Sequence, residues 1–146
     1  MHTNTQNNEQ TYRWSKRQRD AQRAWQKAHS SAVVYRITIG DTHYIGSCSA
    51  SYTRRAAHLS YLRNGKHYNH DLQAAFEAHG ADAFVWDELY QSEDLNELRA
   101  FEIMAIRQCN NCNRQAGCEY RWLGDARIRD LQAIIDYLQE EGRLHV

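Results

Sequence analysis

The amino-acid sequence predicts an α+β domain, in which a small antiparallel three-stranded sheet is flanked by helices. Two short runs rich in β-branched and aromatic residues are joined by a Gly-Asp turn, which is typical of a β-hairpin. The segments after the hairpin carry apolar residues at intervals of three and four positions, which predicts amphipathic helices. A chain of 146 residues is long enough to form one domain with its own core.

Local composition predicts the three strands. Residues 32–39 and 42–47 form the hairpin, with Gly40 and Asp41 at its turn. Residues 84–89 contain Phe, Val and Trp in succession and end on Leu, so they form the third strand. The sheet is therefore small, and helices must cover it.

Periodicity and capping residues predict the helices. Asn69 is a typical N-cap, Gly65 a typical C-terminal stop, and Asp94 lies at the start of a later helix. The first helix has few apolar anchors and adds an N-terminal element to the domain, and the last adds a C-terminal one. The predicted helices span residues 12–29, 52–64, 70–79, 93–108 and 125–141.

Composition limits the classes of protein. Eighteen basic residues balance eighteen acidic ones, but residues 1–30 carry six Lys and Arg against two acidic residues. Such a basic arm suits an anionic partner. The chain has no apolar run long enough for a transmembrane helix and no apolar N-terminal run typical of a signal peptide. We therefore expect a soluble, cytoplasmic protein without a membrane partner.

Five polar residues stand out as candidates for chemistry. Tyr35 and Tyr44 lie across the tight hairpin, so their backbones are close. Arg54 and His58 are four positions apart and share a helix face. Glu102 lies on the inner side of its helix, where a carboxylate needs a cation or hydrogen-bond donors. Each also has a structural interpretation, since strand tyrosines commonly pack and helical arginines are commonly solvated.

The order and spacing of these residues resemble the GIY-YIG nuclease family, in its phage and homing endonuclease branch. The resemblance covers residues 32–113. Val33 stands in place of the first glycine of the name motif, and Cys112 in place of a closing aromatic. The matching segments are Val33–Tyr35, Tyr44–Gly46, Arg54 with His58, Asn64–Phe76, Phe84–Leu89, Glu102 with Ile106, and residues 111–113.

The resemblance implies a Mg²⁺-dependent (or Mn²⁺-dependent) endonuclease that hydrolyses phosphodiester bonds in double-stranded DNA. Glu102 would be the metal ligand, and Arg54 would bind phosphate oxygens. Tyr35 or Tyr44 would orient or deprotonate the attacking water, and the sequence does not decide between them. His58 would act as a proton relay or phosphate donor, or would contact Tyr44 or the substrate backbone.

DNA contacts are expected outside these residues. Lys66 is a candidate phosphate contact, and His67 a phosphate donor or part of the proton relay. The basic arm would track the DNA backbone and make binding salt-dependent; alternatively, its tryptophans dock it on the domain. The candidate residues of the arm are Arg13, Lys16, Arg17, Arg19 and Arg23.

Several alternatives stay open. The chain could be a non-catalytic DNA-binding module or the nuclease subunit of a DNA repair complex. Cys109, Cys112 and Cys118 are either reduced cysteines or part of a zinc site. The apolar stripe of the last helix either covers the core or forms a homodimer interface. The predicted domain boundaries are 1–31 for the arm, 32–113 for the nuclease domain and 114–146 for a C-terminal helical extension.

Overall fold

A computed structural model describes residues 14–113 and 123–146, apart from the side chains of residues 26, 27 and 29. Across these ranges the chain forms three strands and five α-helices, which confirms the α+β class and the small antiparallel sheet. A short 3₁₀ helix at Ala81–Ala83 was not predicted. The elements are α1 (Lys16–His29), β1 (Val33–Ile39), β2 (Thr42–Cys48), α2 (Ser51–Arg63), α3 (His70–His79), β3 (Val85–Gln91), α4 (Leu95–Gln108) and α5 (Asp125–Glu140).

The helix ends follow the capping residues. The Asn69 side chain accepts a hydrogen bond from the Leu72 amide at 3.0 Å, so α3 begins where the sequence predicts. Asp94 accepts from the Asn96 amide at 2.9 Å, and α4 therefore starts two residues later than predicted. Ser15 forms a capping box with Gln18, which fixes the start of α1.

The sheet has the order β2-β1-β3, and both pairings are antiparallel. The hairpin between β1 and β2 has the predicted two-residue loop, in which Gly40 adopts a φ of 60°. A positive φ at the first loop position is what a type II′ turn requires. Strand β1 is central, so β2 is an edge strand with one side free for other partners.

Each face of the sheet buries a different set of residues. Val34 and Ile45 lie in the cluster that contains Phe101 of α4 and Leu131 of α5. The alternate positions of β1 belong to a second cluster with α2 and α3. The period-two alternation of a strand therefore places α4 and α5 on one face and α2 and α3 on the other. The second cluster comprises Val33, Tyr35, Ile37, Ile39, Cys48, Leu62, Leu72 and Ala75.

Helix α5 uses its apolar stripe inside the protein. Leu131, Ile135 and Leu138 are buried in the same cluster as Phe101. The C-terminal segment also docks on the sheet, because Arg143 forms an ion pair with Asp87 at 2.7 Å. The stripe thus covers the core, as the first of the two interpretations predicts, and residues 123–146 share a core with the sheet. In the described ranges, no helix combines the length and apolar character needed to cross a membrane.

Candidate active site between the sheet and helices α2 and α3

The two hairpin tyrosines lie on the same face of the sheet. Tyr35 pairs with Gly46 across the hairpin, and Tyr44 lies two residues before Gly46 on β2. Residues two positions apart on a strand share a face. The ring centroids of Tyr35 and Tyr44 are 6.5 Å apart. The hairpin register therefore converts a nine-residue spacing in the sequence into two neighbouring phenols.

Gly46 is required by the position of Tyr35. A Cβ atom at residue 46 would lie 2.5 Å from the Tyr35 hydroxyl oxygen and 2.6 Å from Cζ. The opposite side of the phenol is also filled, because the Trp86 ring stacks on Tyr35 with centroids 4.1 Å apart. Tyr35 is only 2% exposed. The glycine after Tyr44-Ile45 thus makes room for the phenol of the opposite strand.

A buried chain of hydrogen bonds leads from Tyr35 into the α2–α3 connection. The Tyr35 hydroxyl lies 2.6 Å from His58 Nε2. His58 Nδ1 lies 2.8 Å from Nε2 of His67. The backbone N–H of Asn69 donates to His67 Nδ1 at 3.0 Å. Both histidines are buried, so the structure brings His58 and His67 together behind the tyrosine.

The two imidazoles are neutral at pH 7. Burial, the neighbouring His67 and the charge of Arg54 lower the pKa of His58 to about 3. Burial also lowers the pKa of His67, against the opposing effect of its contact with Asn69. Because desolvation disfavours the charged imidazolium, both rings keep a single ring proton under ordinary conditions.

Tyr68 is a third phenol of the site, which the sequence did not single out. Its hydroxyl lies 2.6 Å from that of Tyr44. Its ring stacks on His67 with centroids 4.4 Å apart, although the residue is 59% exposed. The signal in the sequence is weak: an aromatic residue lies between His67 and Asn69, two polar residues that the fold buries.

Both hairpin phenols are held in the neutral state. Burial is the main cause that raises the pKa of Tyr35, and the charge of Arg54 opposes it. Burial followed by the hydrogen bond with Tyr68 raises the pKa of Tyr44. Either phenol can lose its proton only if additional positive charge reaches the site.

Glu102 lies on α4, on the opposite side of the sheet from the tyrosines. The Ser47 hydroxyl on the edge strand β2 donates a hydrogen bond to its carboxylate. Burial raises the pKa of Glu102, while Ser47 and the charges of Arg99 and Arg54 lower it. The charges of Arg54 and Glu102 both act on Tyr35. Both charges are therefore within electrostatic reach of Tyr35, and Glu102 is also within reach of Tyr44.

The side chain of Asn113 holds the edge strand β2 at Ile45, between Tyr44 and Gly46. The Asn113 side chain accepts from the Ile45 amide at 2.9 Å and donates to the Ile45 carbonyl at 2.7 Å. These bonds use the free edge of β2. Asn113 thus fixes the backbone between Tyr44 and Gly46, although the residue before it is Cys112 rather than an aromatic.

Any metal ligation at this site would rest on one carboxylate. In the described part of the chain, no cluster of three or more His, Cys, Asp or Glu side chains is placed to hold a metal ion. Glu102 is half-buried and offers hard oxygen atoms, which fit Mg²⁺ if waters and phosphate complete its shell. For zinc, Cys109 is buried and Cys112 is half-buried, while Cys118 lies outside the described residues.

The residues predicted to contact DNA are more widely spread than the candidate catalytic residues. Lys66 is exposed at the end of α2, but His67 is buried and both its ring nitrogens contact protein groups. Trp25 of α1 meets Tyr52 of α2 edge-on at 5.1 Å, so the arm lies beside the helix that carries Arg54. Arg13 is outside the described residues. The exposed basic residues of α1 are Lys16, Arg17, Arg19 and Arg23.

Comparisons with protein-family models, with curated proteins and with solved structures find no match for this chain. The candidate site contains three phenols, two neutral imidazoles, an exposed arginine and a half-buried carboxylate around one edge of a small sheet.

Proposed function

We propose that the chain is a GIY-YIG-like endonuclease that hydrolyses phosphodiester bonds in double-stranded DNA with Mg²⁺ or Mn²⁺. The observation that carries the proposal is the convergence of the predicted residues. Tyr35, Tyr44 and His58 form one contact group. The charge of Glu102 acts on both phenols, and the charge of Arg54 acts on Tyr35 and His58. The α+β fold with its short hairpin agrees with the family resemblance.

Glu102 and Arg54 would have different electrostatic roles. Glu102 would hold the divalent ion, which supplies charge neutralisation and a more acidic water when it is bound. Arg54 is exposed, so its planar guanidinium is available to two oxygens of an incoming phosphate. A lysine could not give this two-point contact. A site with one carboxylate should bind metal weakly until DNA supplies further oxygen ligands.

The tyrosines would contribute positioned hydroxyl groups. Tyr35 and Tyr44 enter the reaction as neutral phenols, because burial raises the pKa of both. A neutral phenol donates a hydrogen bond to a phosphate oxygen or a water, and its deprotonation needs added positive charge. Arg54 supplies one positive charge near Tyr35, and a divalent ion held by Glu102 would supply more.

The basic arm and Lys66 would supply affinity for the DNA backbone. Helix α1 carries exposed Lys and Arg side chains next to α2, so a duplex that reaches Arg54 also passes near the arm. Such contacts act through counterion release and weaken as salt rises. Deleting residues 1–30 should reduce affinity and flatten its salt dependence; an unchanged salt slope would contradict this part of the proposal.

The deciding experiment incubates the full chain with supercoiled plasmid in Mg²⁺, Mn²⁺ or EDTA. We expect metal-dependent nicking that Glu102→Ala and Arg54→Ala each reduce on the order of 100-fold or more. Glu141→Gln and Arg63→Ala are matched controls, because both residues are exposed helix-end positions.

The controls should nick like the parent protein. Binding of DNA without cleavage in either metal would instead support the non-catalytic DNA-binding module. Equal loss of nicking in the variants and in the controls would show that the assay reports folding rather than the site.

A further inference from the structure

The backbone of Asn69 determines the proton order of the buried chain. An amide N–H can only donate, so the 3.0 Å contact with His67 requires a lone pair on His67 Nδ1. A neutral imidazole has one ring proton, and burial lowers the pKa of His67, so the ring stays neutral. The proton of His67 therefore lies on Nε2.

The same reasoning continues to Tyr35. His67 Nε2–H donates to His58 Nδ1 at 2.8 Å, and His58 must then carry its own proton on Nε2. His58 Nε2–H donates in turn to the Tyr35 hydroxyl oxygen at 2.6 Å. All three bonds run in one direction, and each is between buried groups.

This direction restricts what Tyr35 can do. A hydroxyl has one proton, and in this arrangement His58 has no lone pair on the nitrogen that faces Tyr35. The Tyr35 proton must therefore point away from His58. His58 cannot serve as the base that takes this proton while the chain is neutral.

We propose that Asn69 and His67 are positioning elements that lock His58 as a hydrogen-bond donor, so that Tyr35 keeps its hydroxyl proton and directs it away from the histidines in the proposed reaction. The role in catalysis rests on the proposed nuclease function, whereas the proton order does not. In this scheme no proton passes along the histidines. Tyr35 donates a hydrogen bond, and the base that accepts a proton from water lies elsewhere.

The scheme also reassigns His67. The sequence made it a phosphate contact or a relay, but neither of its ring nitrogens is free while these bonds are made. Its neighbour Tyr68 is exposed, and its ring stacks on His67. His67 therefore acts on the substrate only through His58 and Tyr35.

The direct test is an ¹⁵N–¹H correlation spectrum of the imidazole rings in the full, histidine-labelled chain without DNA. We expect His58 and His67 both to carry the proton on Nε2 between pH 6 and 8, an interval chosen around the usual histidine pKa. Protonated Nδ1 on either ring would overturn the proposal, whether or not the protein cleaves DNA.

A second test separates positioning from simple packing. His67→Phe keeps a ring but removes the donor to His58, and should lower kcat on the order of 10- to 100-fold, as loss of supporting hydrogen-bond partners does, with KM unchanged. His67→Gln can donate from its amide and should recover part of kcat. A rise in KM with unchanged kcat would overturn the positioning role.

The two proposals fail separately. If the parent chain does not nick plasmid in Mg²⁺ or Mn²⁺, the nuclease function fails and the ring spectra still decide the proton order. If nicking is present and the spectra give Nδ1–H at His58, the nuclease function stands and the positioning scheme fails.

Discussion

The two faces of the sheet bury very different groups. The face under α4 and α5 is an apolar cluster around Phe101, Leu131 and Ile135. The face under α2 and α3 also buries apolar residues, but it places His58 and His67 among them as a hydrogen-bonded chain. The first face stabilises the fold mainly through its buried apolar area. The second face also requires each buried polar atom to keep its hydrogen-bond partner.

This difference teaches that the main apolar core and the buried tyrosine–histidine chain are separated across one strand. Alternate residues of β1 contribute to each face, so Val34 packs under α4 while Tyr35 enters the site. A substitution on one face should change mainly the free energy of unfolding, and one on the other should change mainly the arrangement of the phenols. The changes below test that separation, from the largest effect on stability to the smallest.

The apolar face should show the largest loss of stability. Phe101→Ala removes a ring that is fully buried and stacked on Tyr90, and should lower the free energy of unfolding by about 3–5 kcal/mol. Urea unfolding measures the loss. Leu95→Ala on the same helix is the control, since Leu95 is 59% exposed and should cost under about 0.5 kcal/mol. Similar losses for both variants would contradict the assigned core.

Gly46→Ala should disturb the site more than the core. The new Cβ would meet the Tyr35 hydroxyl, and Tyr35 cannot move without leaving Trp86 and His58, so we expect a loss of about 1–3 kcal/mol. Near-ultraviolet circular dichroism should also change as the stack with Trp86 shifts. Gly80→Ala is the comparison, because its φ of 82° makes the substitution costly through backbone strain, while its Cβ would meet nothing within 4 Å. This variant should lose stability without a change in the dichroism spectrum. An unchanged dichroism spectrum in Gly46→Ala would contradict the displacement of Tyr35 by the new Cβ.

Low pH should reduce the stability contributed by the face under α2 and α3. The pKa of His58 is 6.5 in an ordinary environment and about 3 in the fold, so the unfolded chain binds the extra proton first. Stability contributed by neutral His58 is full above pH 6.5 and is lost as the pH falls towards 3.

His58→Gln should reduce this pH dependence. Between pH 6.5 and 5.5 the parent should lose about 1 kcal/mol more than the variant, measured by urea unfolding at each pH. His70→Gln, at an exposed position, is the control. If His58→Gln and the parent lose stability in parallel, the imidazole is not held neutral by burial.

Tyr68→Phe should have the smallest effect on stability. It removes one exposed hydroxyl, so the free energy of unfolding should fall by less than about 1 kcal/mol. The hydrogen bond to Tyr44 is lost while the ring remains on His67, and the nicking rate should fall more than stability does. Tyr61→Phe, on exposed α2 surface, is the comparison. Equal nicking by these two variants would remove Tyr68 from the site.

Much of the fold was predictable because it depends on local interactions. The Gly-Asp turn fixed the hairpin, and the capping side chain of Asn69 fixed the start of α3. Strand β3 was less well bounded, since it runs to Gln91 and is held by pairing with β1 rather than by local signals. The 3₁₀ turn at Ala81–Ala83 had no distinctive pattern.

The sequence by itself determined which residues are candidates, because the hairpin spacing and the helix period already place Tyr35 beside Tyr44 and Arg54 beside His58. Only the tertiary structure decided the partners of those residues: Ser47 for Glu102, and Tyr68 for Tyr44. These contacts join residues 55 and 24 positions apart in the chain. The physical reason is that hydrogen bonds depend on distance and direction in space, which residue type and local spacing do not specify.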